Sequence, residues 1–257
     1  MNLIPVVSNE ISERGFSKLP LTDSARWVTY QLVCMSTQAQ TNQLPETKRK
    51  LVDAGVSLMR HRGFNATTVD DICAAAGVTK GAFFHYFKSK DDLATAAVIR
   101  FHELKANQFA DAPFRRLADP LARVFGRLDF AKEASGGAKG LTKGCLMGMF
   151  AQELSFTHPE LRSLCQDKLA RIAKDFETDL AEAKALYAPR AAFDPKSLAV
   201  LYLSIVQGSL MLAKASESNR VLVENIEQFR AHLQTLFGRR RGSTGKQPAK
   251  VSVESRN

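Results

Sequence analysis

Four cysteines are few for a chain of 257 residues, and Cys34, Cys73, Cys145 and Cys165 stand at no metal-site spacing. No metal or other cofactor is expected. No secretion signal is evident, so reduced thiols in a cytoplasm are the expectation. The sequence has no run of about 18 or more apolar residues, and no membrane-spanning helix or membrane partner is expected. The glycine-rich stretch Ser135 to Gly140 (SGGAKG) lacks the GxxxxGK[ST] pattern, so it reads as a connector and not a phosphate loop. Strand-like alternation is missing after Pro113. For an enzyme, Cys145 with His158 is the one nucleophile–base pairing to weigh. No third group that would orient the base is identifiable and the spacing forces no contact, so no enzymatic activity is expected.

Base is what the sequence has in excess. The net charge is +10, yet half of it sits on the last 20 residues, where six basic residues meet one acid. Between Glu46 and Thr95 eight Lys/Arg face six Asp/Glu, so charge alone points only weakly to nucleic acid. The placement of Lys80, Lys88 and Lys90 carries more.

Helical periodicity runs through most of the chain. Glu46 to Arg62 has a buried stripe in Leu51, Ala54, Gly55, Leu58 and Met59, with Pro45 suiting the entry and Gly63 the stop. Lys88 to Leu93 opens a long helix reaching about Phe109, with Ser89 or its neighbours as cap. Amphipathic or apolar helices follow at Pro120 to Ala134, Gly144 to Thr157, Pro159 to about Leu186, Asp194 to about Ser216, and Arg220 to Phe237. Residues 1–44 are unassigned. They are either an extension ahead of a natural start at Met35 or a disordered arm. The basic tail 238–257 is expected to be disordered.

Thr67 to Leu93 (TTVDDICAAAGVTKGAFFHYFKSKDDL) organises the rest. Thr68 with Asp71 three residues on predicts a capping box. Val69, Ile72, Cys73 and Ala76 make one apolar face, and Gly77 ends the helix as only glycine does cheaply. Val78 fills the corner and Thr79 caps a second helix. Two short helices across a glycine turn make a helix-turn-helix, whose second helix enters the major groove of DNA.

The residues Thr68, Ile72, Ala76, Gly77, Val78, Thr79, Lys80, Gly81, His85, Tyr86, Phe87, Lys90 and Leu93 make this segment resemble the DNA-binding domain of the TetR family of transcriptional regulators. The resemblance covers Glu46 to about Ala97. It implies an all-α fold: a helix-turn-helix domain at 45–97 and a helical effector-binding and dimerisation domain at 98–237. It implies that Thr68 and Thr79 bind phosphates, that Lys80 and Ala82 meet base edges, and that Gly81 permits close approach. His85, Tyr86 and Lys90 would touch the backbone. Phe84 stands where the family most often has tyrosine, which puts one phosphate contact in doubt. Cys73 replaces the usual alanine and reads as packing.

The resemblance further implies a homodimer through the last two helices, where Leu198, Leu201, Tyr202, Ile205, Ser209 and Leu212 form a stripe and Gly208 allows close approach. The same stripe reads as intrachain core if no partner covers it. A dimer would bind a palindromic double-stranded operator and act as a repressor released by a small molecule or electrophile. Cys145 is the candidate sensor: it stands at a helix start with Lys143 two residues before, an arrangement that favours thiolate. A small buried packing residue is the other reading. An activator of the same fold and a non-specific binder driven by the basic tail are the alternative functions.

Overall fold

The computed structural model describes residues 44–137 and 144–238. The possible start at Met35, Cys34, Lys143, the second half of the SGGAKG loop and the tail after Gly238 lie outside the described residues. The chain divides into two units, Met1–Leu44 and Pro45–Asn257, and every element below belongs to the second. Among the described residues there are nine α-helices and no strand, so the all-α expectation holds.

Helix α1 (Glu46–Arg62) buries Leu51, Val52, Gly55, Val56 and Met59 and stops at Gly63, whose φ of 92° few side chains tolerate. Helix α2 (Val69–Ala76) starts at the predicted capping box. The Asp71 amide donates to the Thr68 hydroxyl at 3.1 Å, and the Thr68 amide donates to the Asp71 carboxylate at 2.9 Å. Gly77 (φ 66°, ψ 37°) turns the chain left-handed, with its N–H on the Ala74 carbonyl. Thr79 caps α3 (Lys80–Tyr86) and Ser89 caps α4 (Lys90–Ala110). A 3-10 turn, Pro113–Arg116, leads to α5 (Pro120–Ala134).

Helix α6 (Leu146–Glu153) is shorter than the expected Gly144 to Thr157. Gly144 has a φ of 79°, incompatible with a right-handed turn, and Pro159 keeps His158 out of helical conformation. Helix α7 (Pro159–Tyr187), α8 (Pro195–Ala215) and α9 (Arg220–Leu236) complete the unit.

Two cores hold it together. The first joins Leu51 and Met59 of α1, Ile72 of α2, Phe83 of α3 and Leu93 of α4 to Leu146 and Phe150 of α6 and Cys165 of α7. The second packs Leu121 and Leu128 of α5, Phe176 of α7, Tyr202 of α8 and Phe229 of α9. Within this second half lies a charge cluster that the sequence reading missed. Arg115, Arg123 and Arg127 face Asp175, Asp179 and Glu182, and Arg127 is only 2% exposed.

Helix α8 divides the predicted stripe. Leu198, Tyr202 and Ser209 are buried in the chain's own core, with Asn225 of α9 donating to the Ser209 hydroxyl at 3.0 Å. Val200, Leu201, Met211 and Leu212 are instead about half exposed, and Gly208 faces open space. By length and composition alone α8 could cross a membrane, and 28% of its apolar window is buried within this chain. Ser204, Gln207 and Ser209 interrupt its apolar run, so no unbroken stretch of about 18 apolar residues marks it in the sequence.

Candidate functional site

The helix-turn-helix presents Thr68, Thr79, Lys80, Gly81, Phe84 and His85 at the surface, with Ala82 and Tyr86 half-buried behind them. Each polar group has a local tether. Thr79 accepts the Ala82 amide at 3.2 Å. Lys80 Nζ lies 2.9 Å from the exposed carboxylate of Asp70. Hydrogen bonds from the Thr68 hydroxyl and amide hold the Asp71 carboxyl below its usual range. A Cβ on Gly81 would meet only the Thr79 hydroxyl, at 3.8 Å, so the α3 surface there is open to a close neighbour. Phe84 is 52% exposed and leans edge-on against Phe83, presenting an apolar ring and no donor. His85 stacks edge-on with Tyr86 at 4.7 Å. Cys73 is buried in the same core cluster as Ile72 and Phe83.

Lys90, expected at the DNA backbone, is tethered within the helix-turn-helix domain. Its ammonium donates to the carbonyls of Phe64 and Thr67, both at 3.0 Å, and sits 4.0 Å from the centre of the Phe64 ring. Two of its three protons therefore secure the α1–α2 connection. Lys90→Met is expected to lower stability by about 1–3 kcal/mol, the range for charged hydrogen bonds lost from buried carbonyls. Lys80→Met breaks only an exposed pair and is expected to change stability by about 0–1 kcal/mol. Urea unfolding of the two variants compares them, and equal losses would contradict this assignment.

The head is tied to the body through α6. At its start, Arg60 Nε and Nη2 donate to the Gly144 carbonyl at 3.1 and 2.8 Å. At its end, the Glu153 carboxylate accepts the Phe64 and Asn65 amides, both at 2.8 Å. Lys214 of α8 donates to the Arg60 carbonyl at 3.1 Å. The sequence offered no signal for these residues, whose partners lie 84 to 154 positions away.

Beside the start of α6 a half-open cleft of about 320 Å³ runs between α6 and α8. Cys145, Met149 and Gln152 form one wall, and Gln207, Met211 and Lys214 the other. Cys145 precedes the first residue of α6, and no side chain caps that helix. Cys165, fully buried on α7, has its thiol pushed up to about 12, chiefly by burial and secondly by Cys145. His158 is elsewhere. It packs on Phe64 at 5.2 Å near Asp91, about 12 Å of helix from Cys145. The nucleophile–base pairing is not assembled.

The description "Bacterial regulatory proteins, tetR family" matches residues 51–97, and "Tetracyclin repressor-like, C-terminal domain" matches 120–229. The chain belongs to the TetR family. Among curated members it is 29% identical to the transcriptional regulator AcuR of Cereibacter sphaeroides over 65% of this chain and 75% of that protein. It is also 29% identical to the transcriptional repressor DhaR of a Mycobacterium species, over 71% of this chain and 87% of that one. Two crystal structures share its fold at 25% identity. A TetR regulatory protein from Rhodobacter sphaeroides has a TM-score of 0.65 over 73% of this chain and 99% of its own. A TetR regulator from Chloroflexus aurantiacus has a TM-score of 0.66 over 74% and 94%. This TetR-family chain is thus a DNA-binding transcriptional regulator.

Proposed function

We propose that the protein is a cytoplasmic homodimeric repressor that leaves a palindromic operator when the cleft at Cys145 is filled or its thiol modified. Residues 45–97 form the DNA-binding part and 98–237 the effector-binding and dimerising part. Lys80 and Ala82 read base edges, while Thr68, Thr79, His85, Tyr86 and the remaining proton of Lys90 hold the backbone. Phe84 supplies an apolar contact in place of a hydroxyl donor. The exposed apolar face of α8 around Gly208 meets its two-fold copy, with α9 beside it. Half-sites then lie roughly 34–36 Å apart or a multiple of that spacing. Repression is preferred over activation because the relative DhaR is named a repressor.

The observation that carries the release step is the double tie of α6 to the head, Arg60 to Gly144 and Glu153 to Phe64 and Asn65. A ligand that shifts the start of α6 acts on the connection that sets α2 and α3. It works only through different affinities for the two arrangements.

Gel-shift against the gene's own upstream region, with and without N-ethylmaleimide, tests the reading. Release of the operator by the reagent is expected, with Cys145→Ser resisting it. Intact binding by protein in which Cys145 is demonstrably modified removes the thiol branch. Removing residues 238–257 is expected to leave operator preference unchanged, and lost preference would favour the non-specific binder.

A further inference from the structure

Three cations gather round the start of α6 without a carboxylate partner among the described residues. Arg60 binds the Gly144 carbonyl and lies 4.8 Å from the centre of the Phe101 ring. Lys105 is half-buried, and its ammonium donates to the Gln108 side chain. Lys214 lines the cleft, with its ammonium on the Arg60 carbonyl and 3.7 Å from Met149 Sδ. Glu153, the acid of α6, is engaged at the far end by the Phe64 and Asn65 amides.

The cleft volume, about 320 Å³, falls at the bottom of the range for small-molecule sites, about 300–1,000 Å³. Leu210, Met149 and Met211 make much of the lining apolar, with Gln152 and Gln207 as neutral polar groups.

Resting on the effector reading above, we propose that the cleft takes a short-chain organic carboxylate whose charge is met by Lys214 and whose apolar end lies against Met149 and Leu210. Burial holds the Arg60 and Lys105 side chains below their usual ranges, Cys145 opposing in both and Arg60 adding to the effect at Lys105. A nearby anion relieves that unfavourable field.

The same geometry makes binding consequential. A carboxylate is a stronger acceptor for an ammonium than a neutral carbonyl. An anion in the cleft therefore competes with the Arg60 carbonyl for Lys214 and loosens the tie from α8 to the end of α1. Ligand charge is thereby converted into a change at the head.

Calorimetric titration of the full chain with butyrate, hexanoate, their primary amides and inorganic phosphate tests this. The carboxylates are expected to bind at least tenfold more tightly than their amides, and phosphate weakly or not at all. Lys214→Met is expected to erase the preference for acid over amide, while Lys214→Arg retains it. Circular dichroism confirms that each variant is folded. Equal affinity for acid and amide, phosphate binding as tight as hexanoate, or an undiminished acid preference in Lys214→Met would each overturn the proposal. Operator gel-shifts separate the two readings. If N-ethylmaleimide releases DNA but no carboxylate binds, this inference fails alone; if neither affects DNA binding, the effector reading fails with it.

Discussion

Replacing Arg127 by methionine is expected to lower the unfolding free energy by about 3–5 kcal/mol, as when one partner is removed from a buried ion pair. Its guanidinium is enclosed by Phe109, Phe114 and Phe176, at 5.6, 5.4 and 5.2 Å from the ring centres. Asp175 and Asp179 supply its counter-charge, and Asp179 is 4% exposed. Methionine fills much of the volume but leaves those carboxylates with Arg115 and Arg123 alone. The destabilisation comes from the stranded anions, more than from a lost attraction.

The pH dependence follows from the same contacts. Burial works to raise the Asp175 carboxyl, but Arg127 and then Arg115 prevail and hold it below its usual range. Its contribution is complete above the unfolded value of about 3.9 and is lost as pH falls through the folded value. In Arg127→Met that acid loss begins at higher pH. Urea denaturation across pH 3 to 7 reads both effects. A loss near 1 kcal/mol with an unchanged acid limb would show that the cluster is solvated and of little consequence.

The second large effect is expected at α8. Leu201→Glu places a charge on a residue 44% exposed in the single chain, so the folded monomer should tolerate it. In the proposed dimer that carboxylate meets its own symmetry copy across an apolar face, and association fails. With the two reading helices no longer linked, operator affinity falls by about 100-fold or more, the usual gain from joining two modest sites. Analytical ultracentrifugation and gel-shift are read together. A Leu201→Glu protein that remains dimeric with full operator affinity would place the interface elsewhere.

These residues also show what the sequence made legible. Thr68 and Asp71, Gly77, and Thr79 act over three or four positions, so the turn between α2 and α3 could be read from the sequence. Such signals are local because a cap or a left-handed turn satisfies the nearest backbone groups. Arg127 and Asp175 stand 48 positions apart, and Lys90 reaches 26 positions back to Phe64. Nothing in either neighbourhood records the partner, so Lys90 read only as a DNA-backbone contact and Arg127 did not stand out. The stripe on α8 was legible as apolar. Its division between core and open face depends on where α7 and α9 lie, and periodicity carries no such information. Cys145 was picked out by its place at a helix start, but Lys214 across the cleft was not.

One consequence of the shared first core concerns modularity. Leu146, Phe150 and Cys165 belong to the same buried cluster as Ile72 and Phe83. A chimera that grafts only residues 45–97 onto a relative's body would therefore open the base of its own reading head to solvent. A workable transplant must carry α6 and the first turns of α7 with it. Exchange of DNA specificity between such regulators is in this sense a matter of matched seams, and the seam here runs through α6 and α7.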